Sequence, residues 1–398
     1  MRTKSTVLVS IALAAIAMQG VFTSCSSDES VNTEKSTGLQ TLKVNLSPIS
    51  RAAVYTDPGT TNENTINSVT IGIFSTTGVL KTIQDASVTT TTTTSANITT
   101  SQLTAGDKIL VAVNAKAGTF AGATSETDFE NKALAIDDAL AGGSSSATTV
   151  ANTKLPMFGT GTIALSSGST TAFESSVDIY HMVSKVTLQS LNVNFATTGA
   201  YNKATFTPTE VFLSNVPDQL DFYPANTISS YSTFATYTNL CHGESTVTTN
   251  LKSYLGTGTP ITGFTPVNNT LSGLSTGTTS NWGASGSKIL YLYTMPSNNT
   301  GTLTASRLVI KGVFRSDGTD ATKTTVYYPV NINYNSADGK AVDGGTAKQI
   351  YPNKNYILSV TISSKGSDSA TTPIDPEAAT ATVTVKSFVD ASQTNIFN

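Results

Sequence analysis

Short-range alternation is the feature that most limits what this chain can become. Leu42, Val44 and Leu46 alternate with Lys43 and Asn45 near one end, and Ala381, Val383 and Val385 alternate with Thr382, Thr384 and Lys386 near the other. Successive side chains of a strand point to opposite faces, so each run predicts a strand with one apolar face. Pro48 ends the first run because it has no N–H for a ladder. Further runs of strand length occupy 69–74, 108–114, 182–188, 191–195, 210–215, 289–293, 308–314, 326–332 and 356–362. Turn residues such as Thr77-Gly78 separate them, so the chain is predicted to be all-β. One helix is expected over 129–141, with Thr127 or Asp128 as its cap and Gly142-Gly143 as its stop. The stretch 218–282 is rich in turn residues, and its pattern does not resolve into individual elements.

At 398 residues the chain is long enough for two domains with substantial cores. Only 12% of residues are charged and the net charge is -3, so no basic field is available to attract nucleic acid. Catalysis needs a base, a nucleophile or a metal cluster, and the chain has two histidines, His181 and His242. Asp178 and Ser184 flank His181, but such close neighbours along a strand do not form a triad by themselves, and a packing or surface histidine is the plainer reading. Cys241-His242 has no redox or nucleophilic motif around it, and Asp218, Asp317 and Asp320 lack calcium-loop spacing. The chain is therefore not read as an enzyme: no catalytic residue, metal or cofactor is assigned.

The first residues divide into a charged start, Arg2 and Lys4, and an apolar core over 7–18 that is too short to span a bilayer securely. Residues 1–24 read as an export signal. Val21-Phe22-Thr23-Ser24-Cys25 resembles the lipobox of bacterial lipoproteins, which makes Cys25 the acylated first residue of the mature chain. The plainer alternative is an ordinary cut near Ser24 beside an incidental cysteine. Ser26-Ser27-Asp28-Glu29-Ser30 is similar to the acidic tether that sends Bacteroidetes lipoproteins to the outer face of the outer membrane. Two or more acyl chains would anchor the chain there stably. Cys241 is the other cysteine, so no disulfide is expected within one lipidated chain.

Several short landmarks, in order along the chain, resemble the fimbrillin family, the subunits of Bacteroidetes type V pili. They are Ile71-Gly72-Ile73-Phe74, Val111-Ala112-Val113-Asn114, Leu155-Pro156-Met157-Phe158-Gly159 and Val183-Ser184-Lys185-Val186. They continue with Phe212-Leu213-Ser214-Asn215-Val216, Leu308-Val309-Ile310-Lys311-Gly312 and Tyr351-Pro352-Asn353-Lys354-Asn355-Tyr356. The resemblance implies two transthyretin-like β-sandwich domains with one short helix in the first. With a domain boundary placed just before Lys185, where the chain can leave one sandwich and start the next, the expected division is the signal, a lipidated tether and removable first strand over 25–51, an N-terminal sandwich over 52–184 and a C-terminal sandwich over 185–398.

The resemblance also implies a maturation step. An arginine-specific protease cuts between Arg51 and Ala52, the strand of Leu42, Val44 and Leu46 departs, and a terminal strand from a neighbouring copy fills the groove. Arg51 is the only arginine between Arg2 and Arg307. Ala381, Val383 and Val385 are the donor-strand candidates, with an ordinary strand in the subunit's own sheet as the alternative. The implied partners are other copies or related pilus subunits, the protease, and the outer membrane through lipid. The implied place is the cell surface, in a fimbrium after processing, with a stalk role favoured over tip or anchor. A competing reading is a surface lipoprotein that binds glycan and never polymerises; it expects exposed aromatics, for which Tyr291 and Tyr293 are the nearest candidates. Asp368-Ser369-Ala370 resembles a short O-glycosylation site.

Overall fold

Short β-branched runs become strands throughout the computed structural model, which describes residues 38–48, 63–86, 88, 95–140, 152–222, 239–244, 259–260, 290–370 and 379–387. At 152, 189–190, 259–260, 290–291 and 379–387 the backbone alone is described. The chain first forms strands β1 (Gln40–Pro48), β2 (Val69–Phe74), β3 (Leu80–Ala86), β4 (Ser95–Thr100) and β5 (Lys108–Val113). Helix α1 (Glu126–Glu130), β6 (Ala133–Ala135), helix α2 (Ile136–Leu140), β7 (Met157–Thr162), β8 (Ala164–Leu165) and β9 (Ala172–His181) follow. Next come β10 (Ser184–Val193), β11 (Thr205–Pro217), β12 (Gln219–Asp221), β13 (Leu240–His242) and β14 (Thr259–Pro260). The last are β15 (Leu290–Thr294), β16 (Arg307–Arg315), β17 (Lys323–Asn331), β18 (Lys354–Ile362) and β19 (Ala379–Ser387).

The architecture is all-β, and one seven-strand pattern occurs twice in the same chain order. In the first half, β3-β2-β5-β7 form one run of neighbours and β9-β1-β4 another, joined through β7 and β9. In the second half, β13-β11-β16-β17 and β18-β10-β15 repeat that order in two separate sheets. The opening strand of each half behaves alike: β1 runs parallel to β9 and antiparallel to β4, and β10 runs parallel to β18 and antiparallel to β15. Pairing changes over between His181, the end of β9, and Ser184, the start of β10.

Two expectations are corrected. The runs 182–188 and 191–195 are one strand, β10, with a bulge between Leu188 and Ser190. The single helix over 129–141 is instead two five-residue helices with β6 between them. Pairing of β6 with β12 takes three residues out of the helical pattern, so a tertiary contact overrides local propensity. The cap is Ser125, whose hydroxyl accepts from Asp128 N, rather than Thr127 or Asp128.

The landmark motifs have physical reasons. A Cβ on Gly72 would lie 2.9 Å from the Phe129 ring, so the glycine admits that ring into the core. A Cβ on Gly159 would lie 2.2 Å from the carbonyl oxygen of Asp178, where β7 meets β9. Asn114 turns the chain at φ 57°, and its amide donates to the carbonyls of Thr65 (2.8 Å) and Leu155 (3.0 Å) while its oxygen accepts from Asn67 N (2.8 Å).

Two apolar cores result. One lies within the first half and includes Leu42, Val44, Leu46, Ile71, Val111 and Val177. The other runs from Phe74 to Ile362 and joins the halves. At the junction Phe120 stacks on Phe129 at 3.9 Å and meets Phe222 edge-on at 5.0 Å.

Glu130, at the end of α1, has its carboxyl pushed up to about 7 by burial and, second, by the nearby Glu126. A raised carboxyl pKa means that the folded chain holds a proton the unfolded chain has lost, so stability should fall as pH rises from about 4.5 towards 7. The side chain is partly exposed, so solvent screening limits the loss to about 1 kcal/mol. Urea midpoints measured across that range should show the decline, and Glu130→Gln should flatten it.

Candidate functional site: the groove filled by the first strand

The alternation of β1 decides how it is used. Gln40, Leu42, Val44 and Leu46 are buried while Thr41 and Lys43 face solvent. β1 lies between two strands, with six residue pairs to β4 (Gln40↔Thr100 to Asn45↔Ser95) and eight to β9 (Thr41↔Ala172 to Pro48↔Ile179). Its apolar face joins Ile98, Phe173, Val177 and Ile71 in the first core. Burying three such side chains contributes on the order of 5–9 kcal/mol as an upper bound. Removing β1 would therefore open an apolar slot and leave β4 and β9 each with an unpaired edge.

One polar contact closes the slot. Gln40 Oε1 accepts a hydrogen bond of 2.7 Å from the backbone N–H of Leu103, and both residues are buried. Gln40 is in phase with Leu42, and only that phase in the sequence hinted that its side chain points inward.

β19 forms the edge of its sheet, antiparallel to β18 over nine pairs. Ala381, Val383 and Val385 sit opposite Val360, Leu358 and Tyr356, all three buried. Within the single subunit this strand completes the sheet of β18. β1 and β19 belong to different sheets and do not pair. Cys25, Arg51 and Ala52 lie outside the described residues.

The two arginines that follow Arg51 are both in β16, which is hydrogen-bonded to β11 on one side and β17 on the other. Arg307 is 1% exposed and donates to Asn331 Oδ1 at 3.0 Å and to the Thr302 carbonyl. Arg315 pairs with Asp320 at 2.6 Å and donates to Thr207 Oγ1 at 3.1 Å.

Sequence reasoning missed a second cluster, which lies where the halves meet. Glu63, the first described residue after β1, is buried with Lys185, Tyr293 and His181. Lys185 Nζ lies 2.7 Å from Glu63 Oε1, and the Tyr293 hydroxyl donates to the same oxygen. His181 Nε2–H donates to the Glu63 carbonyl at 3.0 Å, and burial holds the imidazole below its ordinary pKa, so it is neutral. His181 is thus a core residue, and Tyr293, 2% exposed, presents no aromatic surface. Tyr291 has no described side chain. Asp368 is exposed and Ser369 half-buried after β18.

No family model matches the chain, and no curated protein matches it. Solved structures share its fold. One, described as a "putative cell adhesion protein" of Bacteroides eggerthii DSM 20697, superposes with a TM-score of 0.58 at 18% identity over 87% of this chain and 95% of that one. A fimbrilin of Porphyromonas gingivalis W83 gives 0.55 at 16% identity over 89% and 98%. A Parabacteroides distasonis protein described in the same words as the first gives 0.56 at 13% identity over 89% and 98%. The likeness extends along nearly the full length of each chain, and it is a likeness of fold.

Proposed function

We propose that this chain is a structural subunit of a cell-surface pilus that supports adhesion. It is exported behind the signal of residues 1–24, lipidated on Cys25 and carried to the outer membrane. An arginine-specific protease cuts it between Arg51 and Ala52. β1 then leaves, and a strand of another copy, or of a related pilus subunit, takes its place; β19, with Ala381, Val383 and Val385, is that strand. Strand addition uses backbone hydrogen bonds for affinity and alternate apolar side chains for register. Head-to-tail contacts of this kind do not close, and so they build a filament. The removable segment is 25–51, followed by sandwiches over 52–184 and 185–398.

The observation that carries this reading is the position of β1, an inner strand with a buried apolar face that ends three residues before Arg51. The full-length fold likeness to a fimbrilin supports it. Protection of Arg307 and Arg315 within a doubly paired strand supports a single early cut. Two features support a stalk role over tip or anchor: β1 is an inner strand just ahead of Arg51, and β19 lies at a sheet edge. Burial of Tyr293 weighs against the alternative of a glycan-binding lipoprotein that does not polymerise.

Arg51→Ala tests the reading. Cells expressing the variant should carry a full-length surface lipoprotein and no filaments by electron microscopy. Filaments at wild-type density from uncut Arg51→Ala chain would refute it.

A further inference from the structure

The slot has a direction, and Gln40 supplies it. Leu103 N–H is buried, and its acceptor belongs to β1. When β1 leaves, any strand that reseals the slot either brings an acceptor to that place or buries the donor unpaired, which is costly. The slot therefore asks for a polar side chain at one end and apolar ones at the next three inward positions.

We propose that the incoming β19 runs opposite to the strand it replaces, antiparallel to β9, with Ser387 in the place of Gln40. This rests on the strand-exchange reading above and adds the direction. β1 and β19 are each nine residues long, so the slot can be filled end to end. Run opposite to β1, β19 sets Ser387, Val385, Val383 and Ala381 where Gln40, Leu42, Val44 and Leu46 stood. Run the same way, it sets Ala379, Ala381, Val383 and Val385 there.

Val383 takes the Val44 position in either direction, and the two leucine positions receive one alanine and one valine in either direction. Apolar filling therefore does not discriminate. The end position does: a serine hydroxyl accepts from Leu103 N–H, directly or through one bridging water, whereas an alanine cannot. Both directions give one parallel and one antiparallel neighbour, since β4 and β9 flank β1 with opposite senses. Ladder type therefore leaves the choice to the polar end.

Cysteine cross-linking in assembled filaments reads the direction. Exposed Thr99 on β4 is opposite Thr41 of β1. In the proposed direction Lys386 occupies the Thr41 position, and in the other direction Thr380 does. Processed Thr99→Cys/Lys386→Cys subunits, assembled and mildly oxidised, should run as a ladder of multimers on a non-reducing gel. Thr99→Cys/Thr380→Cys should stay mostly monomeric. Wild-type filaments serve as the control for Cys241, which is buried.

A ladder from the Thr380 pair instead would overturn the direction. Filaments with neither ladder would show that β19 is not the occupant, which also overturns the inference. If processed wild-type chain forms no filaments, the strand-exchange reading itself fails, and the direction with it.

Discussion

Leu42→Ala should destabilise the uncut precursor by about 2–5 kcal/mol and leave the processed filament unchanged. Leu42 is fully buried in the first core, so truncation loses transfer free energy and leaves a cavity between β4 and β9. In the proposed pathway β1 is absent from the filament, so the same substitution has nothing left to act on. Denaturant melts of the precursor measure the first half of this prediction. Filament melting after cleavage measures the second, and an equal loss in both states would mean that β1 stays in place.

The second large effect is expected at the junction. Glu63→Leu should cost about 3–5 kcal/mol, because it strips the carboxylate from a buried Lys185. The Tyr293 hydroxyl loses its acceptor at the same time. The double variant Glu63→Leu/Lys185→Met removes both charges and should recover much of that loss, which a double-mutant cycle on urea midpoints would show. Additive single effects would mean that the two residues act independently. The cluster matters for the proposed pathway because Glu63 follows the cut segment: it ties the start of the processed chain to β10, the second half's counterpart of β1.

Most of the strand framework was legible. β2, β5, β16, β17 and β18 fall within a few residues of the runs that predict them, because each is a buried strand whose apolar residues are continuous or alternate. The helix was not, since 129–141 has a helical apolar pattern until β12 captures Ala133–Ala135. β10 looks like two strands in the sequence because nothing there marks a bulge as distinct from a turn.

At the site, Leu42, Val44 and Leu46 were found by alternation alone. Gln40 shares their phase but is polar and so adds nothing to the apolar pattern, and its role depends on Leu103, more than sixty positions away. Glu63 meets Lys185 beside the point where β9 leads into β10, with His181 of β9 held to the Glu63 carbonyl, a contact that no local pattern carries. The fate of β19 is a question of partner choice, which one chain's pattern cannot decide. Its pairing with β18 describes the subunit by itself.

The most direct measurement uses purified precursor and an arginine-specific protease, with the new N-terminus read by mass spectrometry and assembly by electron microscopy. The account predicts a single cut that leaves Ala52 as the first residue, loss of β1, and filaments. An Arg51 left intact after prolonged digestion, or a clean cut that yields only monomers, would contradict it.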